Sequence, residues 1–431
     1  MTHRIVIVGG GAGGLELATQ LGQHLGRKGR AHITLVDSNL THIWKPLLHE
    51  VAAGSLNSSL DELNYVAQAR WNHFHFQYGR MCGVDRTAKT IKLARLTDDQ
   101  GVEISPEREL AYDSLVISVG SQCNDFGTAG VKEHCAFLDS RDQAEKLHKM
   151  ILSRYLRAHA SDQPKPLSIA VVGAGATGVE LSAELHHAVR LIKGYGIRQA
   201  SSDTLKIYLI EAGERILPAL PERISQAVHR ELIKLGIEVL VRSPVQQVTE
   251  AGVVLADDDV LQVDLKIWAA GIKAPAFLRD LDGLATNRIN QIEVLPTLQS
   301  VSDESIFALG DCAACPIEGS EGKRVPPRAQ AAHQQAKHLA KNLALKLAGK
   351  PLQKFVYRDY GTLVSLASFS AVGTLMGNLS GTTFVEGLLA RMFYLSLYRM
   401  HQAALLGKRR VLLKMLGDLF TKQTRPRLRL H

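Results

Sequence analysis

A chain of 431 residues with 45% hydrophobic and 22% charged side chains is long enough for two or three domains with large cores, which excludes a disordered or fibrous polypeptide. Five scattered cysteines exclude a disulfide framework and suit a reducing, cytosolic compartment. The opening MTHR runs straight into a strand, without the apolar stretch of a secretory signal. The net charge of +9 sits wholly in the last 44 residues, where ten Lys and Arg stand against Asp418 alone.

The first element is RIVIVGGGAGG, Arg4 to Gly14, a strand running into Gly9, Gly11 and Gly14 and then a helix through Leu17, Leu21 and Leu25. In such a turn the first glycine allows the sharp strand-to-helix bend and the second lets backbone approach a pyrophosphate. The third lets the helix pack on the strand. The next strand, HITLVD, ends at Asp37, 23 residues past the last glycine. At that spacing a carboxylate accepts a ribose hydroxyl, the alternative being a solvated acid at a strand end. In HIWKPLLHEVAAGSL, residues 42 to 56, Pro46 interrupts and a helix starts near Leu47; Trp44 and His49 read as packing residues. Short strands with a polar loop fill Tyr78 to Ala111. A buried strand then ends at Gly120, and NDFGTAGV, residues 124 to 131, leads out of the first domain.

Pro164 and Pro166 mark a domain seam, and SIAVVGAGATGVE repeats the first motif with Gly173, Gly175 and Gly178, 164 residues further on. Two dinucleotide folds in one chain imply two dinucleotides and electron transfer between them. The strand LKIYLIE ends at Glu211, 33 residues past the last glycine, the excess being a polar insertion at 194 to 204. An acid there favours a free ribose hydroxyl and repels a 2′-phosphate, so it points to NADH over NADPH. A further strand ends at Gly271, echoing the one at Gly120, and SIFALGD ends at Asp311, which either binds a cofactor sugar alcohol or caps the next helix. Cys312-Ala-Ala-Cys315 is a redox dithiol or a pair of inert buried thiols; with no second C-x-x-C or His pair nearby, it is not a zinc site. Residues 328 to 342 form a helix with Gln330, His333, Gln334 and His338 among alanines, facing either a ligand or solvent.

Residues 360 to 385 carry no charge, yet they are rich in Gly, Ser, Thr and Asn and alternate as strands do, which argues against a transmembrane helix. Two short basic helices close the chain, at 388 to 400 and 409 to 420. In the second, Leu412, Leu413, Met415, Leu416, Leu419 and Phe420 share one face, and Arg410, Lys414 and Asp418 the other. Such a helix lies in a membrane interface or docks on the protein's own core or on a second copy; its broad apolar face argues against nucleic acid.

Five motifs together resemble the type II, non-proton-pumping NADH:quinone oxidoreductases of bacterial respiratory membranes. They are VGGGAGG (8 to 14), KPLLHEVAAGSL (45 to 56), VVGAGATGVELSAELH (171 to 186), ALGDCAACP (308 to 316) and RAQAAHQQ (328 to 335), and the similarity covers nearly the whole chain. The resemblance implies an α/β fold of two Rossmann-like dinucleotide-binding domains plus a C-terminal amphipathic membrane-binding region. The FAD-binding domain is expected at 1–125 and 272–345, the NADH-binding domain at 126–271, and the C-terminal strands and basic helices at 346–431. It further implies cofactor contacts at Gly9, Gly11, Gly14, Asp37, Gly120, Asp311, Gly173, Gly175, Gly178, Glu211 and Gly271, with FAD in the first domain and NADH in the second. The family's A-Q-x-A-x-Q motif maps to Ala329, Gln330, Ala332 and Gln334, near the flavin where quinone enters. Its acid two past the last glycine maps to Glu180, where nicotinamide and flavin meet, in coupling or proton handling. Glu180, Gln330 and Gln334 are thus the expected catalytic residues, with no metal. The implied partners are membrane quinone and an anionic lipid surface at the cytoplasmic face of the cell membrane, with a homodimer left open. Two alternatives stand beside this reading: a sulfide- or thiol-oxidising flavoprotein working through Cys312 and Cys315, and a non-catalytic membrane-bound redox sensor. The Cys-x-x-x-x-Cys of the related disulfide reductases is absent from the first fingerprint helix.

Overall fold

Runs such as RIVIV, HITLV and SIAVV have no polar alternation, as expected of parallel strands covered on both faces. The computed structural model describes residues 2–98, 100–160, 166–194, 205–256, 258–320, 322–366, 370–376 and 382–421. Residues 195–204 of the expected insertion, and Pro164 of the expected seam, lie outside these. The chain divides into two units: Met1–Trp44, Asp61–Gln122 and Ile272–Arg358, and Lys45–Leu60, Cys123–Gly271 and Asp359–His431.

In the first unit five parallel strands lie in the order Ile306–Ala308, Ser114–Ile117, His3–Val8, Ala31–Asp37 and His75–Tyr78. The fingerprint strand His3–Val8 is central, and the strand ending in Asp37 lies beside it, which brings the acid to the glycine turn. Ile5, Ile7, Leu15, Leu17, Leu35, Leu115 and Phe307 are fully buried, and each such side chain contributes about 1.5–3 kcal/mol. Helix Ala12–His24 packs against helix Ala329–Leu347. The segment from Tyr78 to Ala111 forms the antiparallel sheet Met81–Asp85, Thr90–Leu93 and Arg108–Ala111.

The second unit repeats the plan. Its parallel sheet runs Ala136–Phe137, Leu265–Trp268, Leu167–Val172, Leu205–Ile210 and Glu238–Leu240, with the fingerprint strand again central and the acid-bearing strand again its neighbour. Lys45–Leu60, expected in the first domain, groups with this unit because helix Leu48–Ala53 packs on helices Arg141–Ala160 and Ala176–Gly194. Residues from Asp359 onward, expected as a region apart, group here too. Their antiparallel strands Gly361–Leu366, Ser370–Met376 and Thr382–Glu386 place the first strand on the fingerprint helix Ala176–Gly194. The described part of the uncharged stretch is therefore a sheet. Among the described residues no helix is long and apolar enough to cross a membrane.

The two last helices, Gly387–Leu406 and Lys408–Thr421, pack together. Arg399 and Asp418 join them at 3.1 Å, Val411 is buried, and Leu412, Leu413, Met415, Leu416 and Phe420 are exposed. The side chain of Leu419 lies outside the description. The final helix thus turns its charged Asp418 side inward and its apolar side outward, the reverse of a helix covering a core.

Candidate active site

The two glycine turns are built alike, atom for atom in their constraints. Gly9 and Gly173 take φ of 99° and 102°, open to glycine alone, and a Cβ on either would strike the backbone of the neighbouring strand end, at Ser118 or Ala270. A Cβ on Gly14 would lie 1.9 Å from the Gly9 carbonyl oxygen, and one on Gly178 2.0 Å from that of Gly173. These contacts press helix to strand. Gly11 and Gly175 differ: a Cβ on either meets nothing within 4 Å, so both face open space. Neither helix has an acid in its first turn, and the first has no side-chain cap. Uncapped N–H groups beside an open glycine fit the diphosphate of a dinucleotide.

Each strand-end acid closes its turn. Asp37 accepts the Gly10 N–H at 2.6 Å with one oxygen and the Asn39 N–H at 2.8 Å with the other. Glu211 does the same with Ala174 at 2.9 Å and Gly213 at 2.8 Å. The longer spacing to Glu211 therefore leaves its position equivalent to that of Asp37. Burial pushes the Asp37 carboxyl up, against the opposing effect of these hydrogen bonds. Carboxylate oxygens each carry two lone pairs, so both acids retain acceptor capacity for a ribose hydroxyl. The first turn has a further support that sequence reasoning missed: the buried Tyr65 hydroxyl donates to the Gly10 carbonyl at 2.8 Å.

The other expected cofactor contacts fall as follows. Gly120 has φ of 71° and open space where a Cβ would stand, whereas Gly271 is covered by the ring of Phe126, so packing already explains that glycine. Asp311 caps no helix: it sits in the short turn Gly310–Cys312 and accepts the Ser121 hydroxyl at 2.7 Å. Gln335, one residue past the motif, holds this turn by accepting the Gly310 N–H at 2.7 Å. Gln334 spends both ends of its amide on Arg358, donating to its carbonyl at 2.8 Å and accepting its N–H at 3.1 Å. In this structure it ties down the segment leading out of the first unit. Gln330 stands half-buried near the start of the same helix. His333 meets the buried Glu16 at 2.5 Å, and that hydrogen bond raises the imidazole above its ordinary value.

Glu180 occupies the most unusual environment. Its side chain is only 10% exposed, and the Ser365 N–H donates to Oε1 at 3.0 Å from the strand laid over the fingerprint helix. Burial, with Glu50 and Glu184 nearby, pushes the carboxyl up to about 8. Nδ1 of His49 lies 3.7 Å from Oε2. Burial drives this imidazole down to about 4, and it hydrogen-bonds the backbone of Pro46. Burial thus favours the neutral form of the acid and of the imidazole alike. His49, read from sequence as a packing residue, is buried as expected, and it packs beside Glu180. Cys312 and Cys315 are both buried free thiols pushed up to about 12 by burial, so neither offers a thiolate at neutral pH. Among the described residues no cluster of ligands could hold a metal.

Two parallel sheets, each with a glycine turn and a strand-end carboxylate, define a two-dinucleotide oxidoreductase. Residues 3–336 match the pyridine nucleotide-disulphide oxidoreductase family, and the chain belongs to it. Within that class it is a member of the type II NADH:quinone oxidoreductase family. It is 44% identical to the Haemophilus influenzae enzyme of that name over 99% of each chain, and 30% identical to that of Mycobacterium tuberculosis over 94% of this chain and 85% of the relative. Its fold matches Plasmodium falciparum NDH2 in complex with NADH at a TM-score of 0.83, 19% identity and 99% coverage of both chains. It also matches the sulfide:quinone oxidoreductase of Aquifex aeolicus at 0.73, 17% identity and 94% and 92% coverage. At such identities the likeness is one of fold alone.

Gly178→Ala forces a Cβ against the Gly173 carbonyl and should cost about 1–3 kcal/mol in urea unfolding. Gly175→Ala should keep stability and weaken NADH binding in a fluorescence titration; the opposite pattern would show that the turns are misassigned. For Glu180, the carboxyl is protonated in folded and unfolded chains below about 4.5, and only the folded chain keeps the proton up to about 8. Its contribution is thus intact at low pH and lost as pH rises through that window. Glu180→Gln should remove this term, amounting to a few kcal/mol, so that the melting temperature falls less between pH 5 and 9 than in wild type. Parallel wild-type and variant profiles would refute the raised carboxyl.

Proposed function

We propose that this protein carries electrons from NADH through FAD to a membrane quinone without pumping protons, feeding a respiratory chain. The observation that carries the reading is the duplicated glycine turn with its strand-end acid, joined in the second copy to the buried carboxyl of Glu180. Gly9, Gly11, Gly14 and Asp37, with Gly120 and Asp311, would hold FAD; Gly173, Gly175, Gly178 and Glu211 would hold NADH. When bound, FAD supplies the two-electron chemistry, hydride from nicotinamide and electrons to quinone. The chain's own contribution is position and protons. Quinone reduction to quinol consumes two protons while a hydride brings one, so one more must be delivered. Glu180 would hold and release it, a role supported by its raised carboxyl and by His49 beside it. Gln330 belongs to the quinone-facing motif; Gln334 supports that role through the segment it anchors.

The last helix supports a membrane location. Its exposed Leu412, Leu413, Met415, Leu416 and Phe420, flanked by Lys408, Arg409 and Arg410, suit the interface of an anionic bilayer on the cytoplasmic face. Each nearby cation adds on the order of 1 kcal/mol of attraction.

Anaerobic spectra of the purified protein test the chemistry. NADH should bleach the flavin and a quinone should restore it; bleaching by sulfide instead would favour the thiol reading. The double change Cys312→Ala and Cys315→Ala should leave quinone reduction within about threefold of wild type, since buried thiols at about 12 take no part at neutral pH. Lost turnover with FAD still bound would reinstate them.

Removal of the chain from Arg409 onward should preserve FAD content and reduction of a water-soluble quinone. The truncated protein should leave phosphatidylglycerol-containing vesicles at lower salt and lose activity with long-tailed quinone in membranes. Unfolding or loss of FAD would assign the helix to the core, and a change from dimer to monomer with unchanged vesicle binding would assign its face to a second copy.

A further inference from the structure

The end of the second nucleotide sheet carries a charged pair that the proposed function does not use. Glu211 has both oxygens on backbone N–H groups, and beyond it the chain turns through Gly213 to Glu214. The edge strand Glu238–Leu240 brings Arg242 alongside this turn. The Arg242 N–H donates to the Gly213 carbonyl at 2.8 Å, and the Ser243 N–H donates to that of Glu211 at 3.0 Å. Arg242 takes φ of 54°, a left-handed conformation held by these two hydrogen bonds. Its guanidinium meets the Glu214 carboxylate at 3.3 Å, with the two side chains 73% and 82% exposed. The turn they flank is the one that the strand-end acid fixes, where a nucleotide presents its adenosine ribose.

NADH and NADPH differ at that ribose by a phosphate of nearly two negative charges. A guanidinium fork suits such a group, and a carboxylate repels it. An exposed ion pair is weak, so one change of charge is enough to redirect its arginine. We propose that Arg242 is a latent ligand for an adenosine 2′-phosphate and that Glu214 holds it back, making this pair a second determinant of NADH preference beside Glu211. The proposal rests on the reading that the second unit binds NADH at Glu211. It predicts that nucleotide choice responds to a residue that makes no contact with NADH itself.

The holoenzyme, titrated calorimetrically with ADP-ribose and with 2′-phospho-ADP-ribose, tests the pair apart from turnover. Glu214→Gln should shift the ratio of the two affinities toward the phosphorylated ligand by roughly three- to tenfold, as suits loss of one exposed charge. Added salt should shrink the shift. The shift that Glu214→Gln causes should be clearly smaller when measured in the Arg242→Ala background, where only relief of carboxylate repulsion is left. The same pattern should appear in kcat/KM for NADPH relative to NADH. An unmoved ratio in Glu214→Gln, or a shift undiminished in the Arg242→Ala background, overturns the proposal while normal ADP-ribose binding leaves the nucleotide site standing. Failure of wild type to bind ADP-ribose overturns the site and the pair together.

Discussion

Both glycine turns of this chain depend on carboxylates that hold them by their backbone N–H groups. Asp37 on Gly10 and Glu211 on Ala174 convert a flexible loop into a fixed one, so that the helix end behind it presents its unpaired N–H groups to an anion without losing order. The sheet order enforces this contact, since in each unit the acid-bearing strand pairs in register with the fingerprint strand. Both acids therefore work before any ligand arrives. A carboxylate that only awaited a ribose would leave the turn free to collapse, whereas one already tied to it adds the ribose as a further partner.

The two copies then diverge at the same step. Two residues past the last glycine each fingerprint helix carries a buried acid, Glu16 in one and Glu180 in the other. Glu16 meets a half-exposed histidine at 2.5 Å, whose imidazole it raises; Glu180 stands 3.7 Å from a fully enclosed one, whose imidazole is driven down. The exposure of the partner decides which. Where water reaches the imidazole the carboxylate hydrogen bond wins and raises it, and where burial wins the imidazole is driven down and its carboxyl partner up. One helical register has thus produced a structural contact in one unit and a proton-holding carboxyl in the other.

The local features were legible in the sequence, and the long-range ones were not. Glycine spacing and apolar runs placed both turns, both strand-end acids and the strands at 360 to 385, because each is a property of neighbouring residues. Periodicity also drew the two faces of the last helix, but it could not say which face turns inward. The Arg399–Asp418 contact and the buried Val411 decide that. Tyr65 on Gly10, and His49 and Ser365 on Glu180, join residues 55 to 185 positions apart. Nothing in the composition of either partner announces such contacts. Lys45–Leu60 shows the same limit: its sequence position lies within the first unit, and its packing belongs to the second.

The strand over Glu180 also bears on how the chain is made. The carboxyl and the N–H that seals it are 185 residues apart. During synthesis the residues of the fingerprint helix therefore leave the ribosome long before the strand that supplies this hydrogen bond. Burial in the folded unit then favours the protonated form of this carboxyl. The surroundings of this raised carboxyl are thus completed only by a strand from the carboxy-terminal third of the chain.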